Sequence, residues 1–125
     1  MYSSVSKNDR ETAKEIIRVL VTFLREGGKY ISYSDLADRL GKPDILARQL
    51  GKYLDEVSRI CLQNRIPNLS SIVVMKDTLN SATPMPSKDS FQNEYWPISG
   101  VKKTEIDLAQ KDVHDFDWDN ISLVL

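Results

Sequence analysis

Residues 31–51 read Ile31-Ser-Tyr-Ser-Asp-Leu-Ala-Asp-Arg-Leu-Gly-Lys-Pro-Asp-Ile-Leu-Ala-Arg-Gln-Leu-Gly51, and the fold turns on how this stretch divides. Ser32 with Asp35 three positions later has the form of a capping box, which satisfies the free N–H groups at a helix start. Leu36, Ala37 and Leu40 follow at spacings of three and four, so a short helix with one apolar face is predicted. Gly41 and Pro43 close it, because glycine accepts the left-handed backbone of a helix end and proline does not continue a helix. A second apolar series starts at once: Ile45, Leu46, Leu50, Tyr53, Leu54, Val57, Ile60 and Cys61. Two helices joined by a tight glycine turn, the longer one second, is the layout of a helix-turn-helix.

Working outward, residues 1–7 hold Ser3, Ser4 and Ser6 and read as a loose arm. Asn8 with Glu11 resembles another capping box, opening a helix whose apolar face is Ala13, Ile16, Ile17, Leu20, Val21 and Leu24. Gly27-Gly28 ends it. On the other side, Pro67 ends the second series, and Ser71 to Met75, rich in β-branched residues, reads as a strand. Residues 76–92 carry Asn80, Pro84 and Pro86 and read as a mobile loop or wing. Phe91, Tyr95 and Trp96 are expected to pack back onto the core. Thr104 with Asp107 predicts a last short helix holding Ile106, Leu108, Ala109 and Val113. Ile121 to Leu125 reads as an edge strand or a docked tail.

The chain is 125 residues, 41% hydrophobic and 28% charged, which fits one domain and excludes disorder over its whole length. No apolar run approaches the ~18 residues of a membrane span. The start Met1-Tyr2-Ser3-Ser4 has neither a basic stretch nor an apolar core, so no signal peptide and a cytoplasmic location are expected. A single cysteine, Cys61, allows no internal disulfide and suits a reducing compartment. One cysteine and one histidine, His114, do not make a Cys/His zinc site in one chain. Net charge is -1, which argues against a polyanion-binding surface all over the molecule. The charge is uneven, however. Up to Pro67 twelve cations face nine acids; from Asn68 on, five face nine, with the acids crowded between Glu105 and Asp119.

The segment 31–51 resembles the DNA-binding domain of alkylguanine-DNA alkyltransferases and alkyltransferase-like proteins. The matching elements are Ser32-Tyr33-Ser34-Asp35-Leu36-Ala37, Gly41-Lys42-Pro43 and Ala47-Arg48-Gln49-Leu50-Gly51, and Asn64-Arg65-Ile66-Pro67 echoes the family's hinge. The resemblance implies a winged helix fold. It implies that Tyr33 braces a DNA phosphate and that Arg48 enters the base stack from the minor groove side. The family's reactive Pro-Cys-His-Arg is missing: the matching stretch, Asn68 to Val74, puts a residue between Ser70 and Ile72 at the cysteine position, with no histidine beside it. Alkyl transfer is therefore not expected, whereas alkyltransferase-like proteins bind damaged DNA without that cysteine.

The residues themselves add a second argument. Arg39, Lys42, Arg48 and Lys52 cluster around the start of the second helix of the pair, and such a cluster favours a phosphate backbone. The plainer alternatives are a half-buried ring for Tyr33 and a solvated pair with Asp44 for Arg48. Asp115-Phe116-Asp117-Trp118-Asp119-Asn120 looks briefly like a calcium loop but lacks its glycine and its closing glutamate. Its alternation puts Phe116 and Trp118 on one face, as a core plug or a partner-binding motif. Cys61 reads as a small buried hydrophobe, and His114 as an ordinary surface histidine with no identified nucleophile.

The expected architecture is thus α+β and mainly helical: an arm at 1–7, a winged helix-like domain with a small sheet at 8–104, and an acidic extension at 105–125 packed on it. The expected function is non-catalytic binding of double-stranded DNA through Ser32, Tyr33, Arg39, Lys42, Arg48 and Lys52. No metal, cofactor or membrane is involved. The alternative is a regulatory module, of phage or defence type, that binds a protein partner through the winged helix and the Phe116/Trp118 tail, a tail that also stands as a possible cover for the basic face.

Overall fold

A computed structural model describes residues 7–45, 47–86 and 105–119; the side chains of Lys7, Ala47 and Arg48 lie outside that description. It is mainly helical: α1 (Lys7–Arg25), α2 (Tyr33–Arg39), α3 (Ala47–Gln63) and α4 (Ile106–Asp115) surround a two-stranded parallel sheet, β1 (Ile31–Ser32) and β2 (Val73–Val74). The register pairs Ile31 with Val73 and Ser32 with Val74. Parallel strands need a crossover between them, and the α2–α3 pair supplies it.

The predicted apolar faces meet in one core. Ala13, Ile16, Ile17, Leu20 and Val21 of α1 are buried against Leu50, Leu54, Val57, Ile60 and Cys61 of α3, with Leu36 of α2, Leu40 just after it, Ile72 and Val73, and Val113 of α4 closing the cluster. Ile31 is buried there too.

Helix ends follow the glycines. Gly27 sits at φ +93°, its N–H donating to Leu24 O and that of Gly28 to Phe23 O, both at 3.0 Å. Gly41 sits at φ +72°, with the same pair of bonds to Asp38 O and, from Lys42, to Ala37 O. These are Schellman closures. Gly41→Ala is expected to lower stability by about 1 kcal/mol, the ~1–2 kcal/mol left-handed penalty less what alanine saves in unfolded-chain entropy. Gly51, inside α3, has open space where a Cβ would go. Gly51→Ala should therefore stabilise by about 0.5–1 kcal/mol. Urea midpoints moving in opposite directions for the two variants check both statements.

Several boundaries differ from expectation. Lys7 already belongs to α1, and Asn8 is not the cap; its carbonyl takes the Thr12 hydroxyl at 3.0 Å from inside the helix, while residues 1–6 of the expected arm lie outside the described residues. α3 begins at Ala47, leaving Ile45 in the turn, partly buried against the core. Only Val73 and Val74 of the expected strand Ser71–Met75 form β2; Ser71 and Ile72 belong to a 3₁₀ turn, Leu69–Ile72. Its β-branched run is apolar because it is buried on every side, not because it forms a long ladder. Residues 76–86 are no hairpin wing: Met75 N donates to Met85 O at 2.8 Å and the Thr78 hydroxyl donates to Met75 O at 2.8 Å, which ties the loop shut. The expectations for Phe91, Tyr95, Trp96 and Thr104 and for the 121–125 tail fall outside the described residues.

Candidate nucleic-acid interface

α2 is positioned by Ser32, whose hydroxyl accepts the Asp35 N–H at 3.1 Å and lies 3.2 Å from Ser34 Oγ. Ser32 is buried, so its role is to start the helix. Tyr33 follows as the first helical residue, its ring partly buried against the core. Gly41 then turns the chain, and Lys42 stands exposed at the corner with no ion-pair partner among the described residues. Arg48 lies in the first turn of α3.

The other two cations are already engaged. Arg39 lies over the Phe23 ring, 5.1 Å from its centroid, and pairs with Glu26 at 3.4 Å. Lys52 pairs with Asp9 at 3.0 Å. Asp9 is on α1 and Glu26 directly follows its last residue, so both side chains are drawn toward α1 and its end. Such pairs are partly exposed and worth only about 0–1 kcal/mol each, which makes them exchangeable for a phosphate.

The stretch matching the family's reactive motif is sealed. Ser70, Ser71 and Ile72 are buried. Ser70 Oγ donates to Leu54 O at 2.7 Å and Ser71 Oγ to Asn68 O at 2.8 Å, so both hydroxyl protons are committed to carbonyls. Asn68 Oδ1 accepts from Ser58 Oγ and from Ser70 N, each at 3.1 Å. Its Nδ2 is buried without a hydrogen-bond partner.

Comparison with protein-family models, curated proteins and solved structures found no match.

Cys61 is buried, as expected of a small hydrophobe, and burial pushes its thiol from 9.0 up to about 11, partly offset by a backbone hydrogen bond with Leu69. A thiol so held is a poor nucleophile at neutral pH. The folded value lies above the unfolded one, so the contribution is fully present below pH 9. It is lost as pH rises from 9 to about 11, where only the unfolded chain ionises. Urea titrations of wild type and Cys61→Ala at pH 8 and pH 10.5 should show a smaller decline in the variant.

The acidic end is anchored away from the α2–α3 turn. Trp118 is buried, its Nε1 donating to Val113 O at 2.7 Å, and Phe116 lies 4.5 Å from it, tilted by 51°. Arg25 Nε donates to Trp118 O at 2.8 Å. The two aromatics thus form the core plug, and Trp118 is not presented to a partner. Up to Asp119 the tail lies against the end of α1, beside Gly27–Lys29. His114 Nε2 donates to Lys29 O at 2.9 Å.

Glu56 and Gln110 are buried polar side chains that the sequence reading does not single out. Glu56 takes Arg10 at 2.9 Å and Arg59 at 3.3 Å. Gln110 donates its Nε2 to Ser71 O at 3.0 Å and Pro84 O at 2.9 Å. Each interrupts an apolar stripe, Glu56 next to Val57 and Ile60, and Gln110 between Ile106 and Val113. That interruption was the available signal.

Proposed function

We propose that the chain binds double-stranded DNA without catalysis through the corner formed by α2, the Gly41 turn and the start of α3. One observation carries this reading: a capped short helix and a tight glycine turn lead into a second helix with Arg48 in its first turn and Lys42 exposed at the corner. The segment likeness supports it further. Arg48 probes the groove, Lys42 meets a phosphate, Tyr33 braces the backbone, and Arg39 and Lys52 leave Glu26 and Asp9 to add weaker phosphate contacts.

Fluorescence anisotropy on a labelled duplex of about 20 base pairs tests this at two salt concentrations. Arg48→Ala should weaken binding about tenfold, within the ~1–3 kcal/mol of a groove-probing arginine, and Lys42→Ala should weaken it less while lowering the salt slope by about one. A lesion preference, tried with an alkylated guanine, would extend the likeness to function. Unchanged affinity in Arg48→Ala, or no binding at low salt, overturns the proposal.

A protein partner is the second reading. It is favoured by Leu108, a large apolar side chain exposed on the acidic helix α4. A partner of this kind would survive moderate salt in a pull-down, whereas DNA binding would fall steeply.

A further inference from the structure

A cleft of about 680 Å³ lies between one face of α4 and the loop at residues 82–85, and Tyr30 closes one side. That volume is within the ~300–1,000 Å³ of small-molecule sites. Its walls are fixed by backbone ties. His114 is pinned to Lys29 O and meets the Tyr30 ring edge-to-face, centroids 5.0 Å apart and planes at 87°. Opposite them, Pro84 is held through its carbonyl by Gln110, and Met85 through its carbonyl by Met75 N.

Gln110 makes the base of the cleft and is only 4% exposed. Its Nε2 is forked between two carbonyls, which sets the plane of the amide. Among the described residues its Oε1 has no hydrogen-bond partner. Among the described residues the one sealed polar atom lacking a partner is Asn68 Nδ2, so Gln110 Oε1 reaches the open space of the cleft as a ready acceptor. At the rim, Lys111 is paired with Asp115. Asp107 has no ion-pair partner among the described residues, so the unpaired charge they bring to the cleft is negative.

We propose that this cleft binds a small planar aromatic ligand that carries an N–H donor and no negative charge. The ring packs between the Tyr30/His114 wall and Pro84 with Met85. The donor meets Gln110 Oε1, and a positive group on the ligand gains from Asp107. The walls are tied in place without a ligand, so little ordering opposes binding.

NMR titration of the ¹⁵N-labelled chain tests this with three probes: tryptamine, a cationic ring; adenosine, a neutral ring with an amino donor; and indole-3-acetate, an anionic ring. Tryptamine and adenosine should give saturable shifts at Gln110, Lys111 and His114 and at the Gln110 side-chain amide, with indole-3-acetate at least about tenfold weaker. Asp107→Asn, an exposed change, should weaken tryptamine severalfold and leave adenosine unaltered. Absence of saturable shifts from both probes up to about 10 mM, shifts mapping elsewhere, or equal binding of the anionic probe overturns the proposal. None of these outcomes depends on whether the α2–α3 corner binds DNA.

Discussion

Trp118→Ala is expected to destabilise the chain by about 3–4 kcal/mol, within the ~3–5 kcal/mol of removing a large aromatic from a core. Trp118 is only 5% exposed and packs into the same cluster as Val113, Leu20 and Ile17. Its removal also strips the indole N–H from Val113 O and one ring of the Phe116 pair. Aromatic pairs add about 0.5–1.5 kcal/mol beyond their buried area. For a domain of this size the melting temperature should fall by about 10–15 °C, read by circular dichroism. Trp118→Phe keeps most of the volume and loses the N–H, so it should recover roughly half of the loss; the abandoned Val113 carbonyl accounts for the remainder, at about 1–3 kcal/mol. A loss under about 1 kcal/mol for the alanine variant would contradict a plug at this position.

Glu56→Ala is expected to be the next most damaging change, at about 2–3 kcal/mol. The Glu56 side chain is 5% exposed and holds two arginines. Removing the acid leaves two guanidiniums facing each other at the α1–α3 seam. The loss stays below the ~3–5 kcal/mol typical of a broken, fully buried pair, because Arg10 is 42% exposed and can turn to water. A urea midpoint lower by about 1 M checks it. The loss should persist at high salt, since a buried pair is screened little. Lys52→Ala, which breaks the more exposed pair with Asp9, should instead stay within about 0.5 kcal/mol. The double variant Arg10→Met/Glu56→Leu should regain most of the loss, because apolar side chains of similar volume replace such pairs at little net expense.

What could be read in advance was what is local. Ser32 caps α2, Gly27 and Gly41 end helices at left-handed positions, and Ile16, Ile17, Leu50 and Leu54 point inward, because each depends on neighbours within a turn or two. What escaped depends on distant residues. The stretch Ser71–Met75 has strand composition, but Val73 and Val74 find only Ile31 and Ser32 to pair with, and β1 is two residues long. Arg65 ends α3 at φ +56°, with Ile66 N donating to Cys61 O, where the pattern favours glycine. For the candidate site, the corner of α2, Gly41 and α3 was legible as a helix-turn-helix. That Glu26 and Asp9 would take Arg39 and Lys52 was not, because Asp9 is on α1 and Glu26 just past its end, and they meet the cations only in three dimensions. The α4 cleft was illegible for the same reason: its parts come from residue 30, residues 82–85 and α4.

Arg25 lies at the end of α1, yet the carbonyl it holds belongs to Trp118, and the carbonyls of Ser71 and Pro84 wait for Gln110. The α1–α3 pair can therefore collapse on residues 7–63 alone, but the hollow that Trp118 fills stays open until residue 118 is also made. Until then a folding chain carries an apolar gap there, the kind of transient surface that recruits chaperones. A chain cut short just before Trp118 should accordingly be protease-sensitive and chaperone-bound, and restoring the segment through Asp119 should lock it.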